Sequence, residues 1–184
     1  MFVINPASNS ITSLNRKTFS ELGFKEKAHL QEWIAGNPEA LGEKLLIIQK
    51  EFSDFIDTNE RLDLLALDKN GNLVVIENKL DDSGRDVTWQ ALKYASYCST
   101  LTKEEIRNIF QNYLDSYSPG KNAVDVLEEF FDNAEYSEIV LNQRMTQRII
   151  LVAANFRKEV TSTVLWLMNF KIQIQCFKAT PYEL

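Results

Sequence analysis

The chain has 184 residues, of which 45% are hydrophobic and 25% charged, and a formal net charge of −6. That length fits one domain with a sizeable core, and no apolar run approaches the length of a membrane span. The acidic balance weighs against nonspecific nucleic-acid binding by the whole surface but leaves room for a local basic groove. Residues 1–20 lack the basic-then-apolar layout of a secretory signal. Cys98 and Cys176 are far apart and form no metal-type spacing, so they read as reduced thiols of a cytoplasmic protein. The single histidine, His29, excludes His-rich zinc sites and His-based triads; it reads as an exposed side chain on a polar helix.

Residues 1–24 have mixed polarity without a period and read as a loop or short arm. Residues 25–35 read as a helix, ended by Gly36-Asn37-Pro38. Leu45 to Phe52 reads as a strand, followed by a polar connection over 53–60. Residues 61–67 and 73–79 are expected strands around Asp68-Lys69-Asn70-Gly71-Asn72, a strong hairpin signal. Val74-Val75-Ile76 is apolar on both faces, as in a strand covered by helices on both sides. Leu80 to Asp86, with Asp81 and Asp82, reads as a solvated loop. A helix is expected over 87–99. Thr102 opens another, to about Tyr113, with Glu105 as its capping-box partner. A third helix follows over 123–131.

The acidic helical segment 102–145 separates the hairpin from a buried strand at 148–154. A helix over 160–169, with Thr161 or Ser162 near its start and a Leu/Trp/Phe stripe read as core, precedes an alternating strand over 171–178. The order α-β-β-β-α-(helical insert)-β-α-β gives a mixed α/β sheet flanked by helices. Residues 25–184 read as a single domain. The chain stops six residues after the last expected strand, as a domain cut from a longer protein would.

The charges in the hairpin carry the chemistry. Asp63 sits inside one apolar strand, and Glu77-Asn78-Lys79 ends the next. Strand side chains alternate, so Glu77 and Lys79 share a face. Charges in apolar strands are costly unless paired or bound to metal. Phosphodiester hydrolysis needs an activated water and stabilised charge, and Mg²⁺ or Mn²⁺ held by one or two carboxylates supplies both. Asp63 and Glu77 are the candidate ligands, with the backbone carbonyl of Asn78 as a further one. Lys79 is placed to orient the water or stabilise the transition state. Arg61, Arg85 and Lys93 are candidate phosphate contacts.

Asp63, a hairpin turn, then Glu77-x-Lys79 resembles the motif of the PD-(D/E)XK nuclease superfamily, with Leu62 where the family usually has Pro. Glu26 to Gln31, Asn37-Pro38, Glu51, Asp63 and Glu77-Asn78-Lys79 occur in the order of the NucS-like endonuclease branch. Gln90 with Tyr94 is similar to the Gln and Tyr pattern of RecB-like branches. The resemblance implies a restriction-endonuclease-like αβββαβ core and divalent-metal-dependent cleavage of DNA. It adds Glu26 as a helix-borne carboxylate, Gln90 as an orienting group and Tyr94 as a nucleic-acid contact. Glu51 reads as an ordinary strand-end charge. Position 78, usually apolar in the superfamily, is Asn here, so its side chain needs a partner in the core or a cavity.

Two other readings stand beside the endonuclease. One is a nuclease-fold module that binds nucleic acid or protein without cleaving, favoured by the acidic balance. The other is a regulatory protein that uses the insert 102–145 as its contact surface. Cutting both strands of a duplex calls for two sites, hence a homodimer if duplex is the target.

Overall fold

The computed structural model describes residues 1–53, 61–143 and 146–183; most of the expected 53–60 connection and two residues at the end of the insert lie outside them. The core is a five-stranded mixed sheet in the order β4-β5-β6-β7-β8. Its strands are β4 (Leu45–Phe52), β5 (Leu62–Asp68), β6 (Leu73–Asp82), β7 (Arg148–Asn155) and β8 (Gln173–Lys178). β4, β5 and β6 form an antiparallel meander, and β7 and β8 run parallel to β6. The expected sheet is therefore present.

Every residue of β5 and the first six of β6 are buried, because helices cover both faces. Leu65, Leu67, Val75, Ile149 and Leu151 pack into the cluster built with α2 (Val87–Cys98), α3 (Lys103–Tyr117), α4 (Ala123–Phe130) and α5 (Lys158–Met168). Leu64, Ala66, Val74, Ile76 and Ile150 face the other way, onto Leu30 and Ile34. Leu30 belongs to a π-helical turn, Glu26–Gln31, and Ile34 to α1 (Glu32–Gly36), which continues it. Thr102 and Glu105 form the expected capping box at α3, with each side chain bonding the other's backbone.

Four expectations are corrected. Residues 1–24 are not a plain arm. They hold the hairpin of β1 (Phe2–Asn5) and β2 (Ser10–Ser13), then β3 (Asn15–Arg16), which pairs with β9 (Tyr182–Glu183) beyond the last expected strand. The 160–170 stripe is core only at Val160, Val164 and Leu167; Leu165, Trp166 and Phe170 are exposed, because one helical face alone meets the sheet. α5 is preceded by Arg157 and has no side-chain cap. His29 is half-buried: its Nδ1 accepts the Lys25 N–H at 2.8 Å, and its ring lies between Phe24 and Trp33.

The β5–β6 turn needs its glycine. Gly71 has φ +78°, a Cβ there would overlap the Val140 carbonyl, and its own carbonyl accepts the Asn142 N–H at 2.8 Å. Gly71→Ala is expected to lower stability by about 2–4 kcal/mol through backbone strain and overlap together. Urea unfolding at neutral pH measures this; an unchanged midpoint would refute it.

Candidate active site

Asp63 and Glu77 meet because the meander makes them neighbours. The β5–β6 register pairs Leu64 with Ile76 and Leu65 with Val75. One step further sets Asp63 opposite Glu77. Ladder pairing stops there, and the Asp63 carboxylate takes the Asn78 N–H at 2.8 Å. β6 also breaks register with β7 between Lys79 and Asp82. The Leu80 N–H goes instead to Glu26 Oε2 at 3.0 Å. Such irregularities re-aim side chains at strand ends.

Lys79 Nζ lies 3.6 Å from Glu26 Oε1 and 3.9 Å from Glu77 Oε2. Four of the expected site residues, Glu26, Asp63, Glu77 and Lys79, thus converge at one end of the sheet. The Glu77 side chain is only 3% exposed, and its Oε1 has no hydrogen-bond partner. Burial, reinforced by the charge of Asp63, pushes the Glu77 carboxyl up to about 8; Lys79 offsets part of this. Burial pushes Asp63 up to about 6 against the hydrogen bond from Asn78 and the charge of Lys79. The two acids therefore titrate as a pair and hold a proton near neutral pH.

Asp68, on the same strand, shows what a satisfied buried acid looks like. It accepts the Asn70 and Asn72 N–H groups at 2.8 and 3.0 Å and the Asn72 amide at 3.0 Å. Arg148 binds it at 2.9 Å while gripping Glu43 with both Nη atoms. These partners outweigh its burial and hold its carboxyl below the usual value. Asp63 and Glu77 lack such neutralisation.

The donor set fits a hard divalent cation. Two adjacent carboxylates with an unfilled oxygen suit Mg²⁺ or Mn²⁺, which take oxygen ligands and keep several waters. Among the described residues no group of three or more His, Cys, Asp or Glu side chains is arranged to hold a metal ion. A cation here would rest on the two acids, a backbone carbonyl such as that of Asn78, and water.

Other expected residues fall less centrally. Gln90 is half-buried on α2, and its side chain hydrogen-bonds neither acid. Tyr94 is 2% exposed, packed in the core cluster. The Lys93 ammonium sits 5.6 Å from the Tyr94 ring centre, and Arg61 and Arg85 are exposed. Asn78 is fully buried on the face toward the π turn, and neither amide atom has a protein partner. Asp81 and Asp82 are not a solvated loop. Asp81 accepts from the Phe19 N–H and the Ser20 hydroxyl, and Asp82 from Arg157 Nε and the Gly84 N–H. They tie the end of β6 to the N-terminal segment and to the start of α5.

No family model and no curated protein matches the sequence. Among the described residues no helix is long and apolar enough to cross a membrane. A solved repair endonuclease from Pyrococcus abyssi is similar in structure, at 20% identity and a TM-score of 0.46, over 84% of this chain and 48% of that one. EndoMS bound to double-stranded DNA is similar at 18% identity and 0.45, over 83% and 44%. EndoMS in its apo form gives 18% and 0.43, over 85% and 48%. This chain thus spans about half the length of the solved structures it is similar to.

Proposed function

We propose that this protein is a divalent-metal-dependent endonuclease that hydrolyses DNA phosphodiester bonds at the Asp63–Glu77–Lys79 cluster. The observation that carries the reading is the buried acid pair, which Lys79 neutralises only in part. Two carboxylates buried side by side, one with an orphaned oxygen, are a poor way to stabilise a sheet. They are a good way to hold a cation. Bound there, Mg²⁺ or Mn²⁺ would neutralise phosphate charge and make water a stronger nucleophile.

The protein's own groups do the rest. Asp63 and Glu77 supply the ligand oxygens, and the hydrogen bond from the Asn78 N–H fixes how Asp63 points. Lys79 extends its ammonium between Glu77 and Glu26, where it orients the attacking water and opposes charge on the phosphate. Glu26 steadies that ammonium and the Leu80 N–H together. Arg61 and Arg85 meet backbone phosphates from the surface. DNA as the substrate comes from the motif resemblance. Residues 25–184 form the nuclease-like unit, and a homodimer would cut both strands of a duplex.

The test is incubation of single-stranded, duplex and branched DNA with Mn²⁺ and either wild type or Glu77→Ala. Cleavage by wild type, lost by at least 100-fold in the variant, is expected. Equal products from both proteins would refute the assignment. The second reading, a module that binds without cleaving, is favoured by the net charge of −6. It predicts a DNA mobility shift with no products at any Mn²⁺ concentration.

A further inference from the structure

Resting on the metal-site reading above, one residue outside the motif acquires a role. β4 and β5 pair Leu45 with Asp68 and Ile47 with Ala66, and then the register shifts by one. Beyond the bulge, Lys50 opposes Leu64 and Phe52 opposes Leu62. Glu51 therefore stands opposite Asp63, where the unshifted register would have set Lys50. Glu51, Asp63 and Glu77 form a row of carboxylates across three adjacent strands. Like charges directly opposite destabilise a sheet. Glu51 also has φ +52°, a left-handed backbone inside a strand, and such conformations persist where surrounding structure holds them in place.

The Glu51 carboxylate is fixed from one side only. Lys27 Nζ takes Oε2 at 2.5 Å, while Oε1 is buried with no partner. The described residues hold seven such orphaned polar atoms. They belong to Gln31 in the π turn, Gln49 and Glu51 on β4, Glu77 and Asn78 on β6, and Thr88 in the first turn of α2. Five of the seven atoms are carbonyl or carboxylate oxygens, which only accept hydrogen bonds. What satisfies the Glu51 and Glu77 oxygens of the row is a group that donates. The waters on a divalent cation do so, and Mg²⁺ retains several of them. Glu77, its side chain 3% exposed at the centre of the row and its Oε1 without a partner, points to the same ligand.

We propose that Glu51 is a positioning residue of this site: its Oε1 accepts a hydrogen bond from a water on the cation held by Asp63 and Glu77. It is not a direct ligand. Lys27 holds the carboxylate in the orientation that leaves Oε1 facing inward, and the β4 bulge supplies the register. Carboxylates that hydrogen-bond a metal's bound groups typically contribute roughly 10- to 100-fold to affinity.

The experiment uses Mn²⁺ alone, without DNA, followed by calorimetry and by the shift in unfolding temperature. Wild type binds, and Asp63→Asn abolishes binding. Glu51→Asn, whose new side chain tolerates a left-handed backbone, unfolds in EDTA at or above the wild-type temperature and binds Mn²⁺ roughly tenfold more weakly. Glu51→Gln, which keeps an acceptor oxygen, loses less. Should Glu51→Asn fail to fold, Glu51→Gln carries the same comparison. Wild-type affinity in the folded Glu51 variants, with binding still lost in Asp63→Asn, overturns the role of Glu51 and leaves the metal site standing. Lower unfolding temperatures in EDTA for both Glu51 variants, with unchanged affinity, make the residue a strut and overturn it equally. A wild type that binds no Mn²⁺ overturns the metal-site reading and this inference together.

Discussion

At pH 8 and without divalent cation, Glu77→Gln is expected to be more stable than wild type. Burial and the neighbouring charge of Asp63 raise the Glu77 carboxyl from its ordinary 4.5 to about 8 in the folded protein. Between those values the folded state keeps a proton that the unfolded chain has released. The stability linked to this group is therefore full below pH 4.5, falls as pH rises toward 8, and is flat beyond. Gln never ionises, so the advantage of the variant grows across that window. It should reach on the order of 3 kcal/mol at pH 8, or about 6–12 °C in unfolding temperature for a domain of this size. Mn²⁺ at 1,000 times its dissociation constant reverses the order, because it stabilises wild type by about 4.1 kcal/mol and the variant by little. Thermal scans at pH 5 and pH 8, with and without Mn²⁺, measure this. A variant less stable than wild type at pH 8 in EDTA would show that Glu77 holds the fold together, which the site proposal does not allow.

Arg148→Met should have the opposite sign and a similar size. Arg148 is the cation between Glu43 and Asp68, and its side chain is only 13% exposed. It reaches Gln175 as well, at 3.2 Å, so one side chain joins β5, β7, β8 and the segment before β4. Removing it leaves Asp68 buried without its cation, which costs about 3–5 kcal/mol. The turn amides still satisfy part of Asp68, so the lower end of that range is expected. Adding Asp68→Asn removes the stranded charge and should recover part of the loss. Because the Asp68 carboxyl lies below its ordinary 3.8, its stabilisation is present above that value and fades as pH falls through the folded one. The deficit of Arg148→Met should accordingly shrink in strong acid. Asp63 and Asp68 are five residues apart on one strand, about 17 Å, so Mn²⁺ affinity should be unchanged. Urea unfolding at pH 7 and pH 3 reads the first effect and calorimetry the second; a loss under 1 kcal/mol at pH 7 would refute the assigned role.

The contrast between these two clusters explains what was legible in the sequence. Asp63 and Glu77 stood out because each interrupts an apolar run, and strand alternation with the Asn70-Gly71 turn was enough to bring them together. Asp68 interrupts a similar run, and its turn amides satisfy it only in part; Arg148, eighty residues away, supplies the cation that makes it structural. The meander, α2, the capping box at Thr102 and the buried β7 could be read because propensity and burial pattern agree there. Glu51 reads as a strand-end charge because its place opposite Asp63 depends on a bulge at residues 47–49, and no turn residue marks it. Hydrophobicity alone puts Trp166 and Phe170 in the core, but a helix can turn only one stripe inward, and both are exposed. The strand pair Asn15–Arg16 with Tyr182–Glu183 joins the two ends of the described chain, and no local pattern announces a contact of that range.

The order of strands also divides the work of folding. The acids lie on β4, β5 and β6, which are consecutive in the chain and joined as a meander. Bringing β7 onto β6 closes a loop over residues 83–147, with three helices inside it. The entropy of that closure falls on the parallel pairing, and contacts of high sequence separation slow folding. The carboxylate row can thus be laid down by near neighbours, while the wall that buries it arrives from far along the chain. The charges meet while water can still reach them, and their desolvation is deferred to the last large step of assembly.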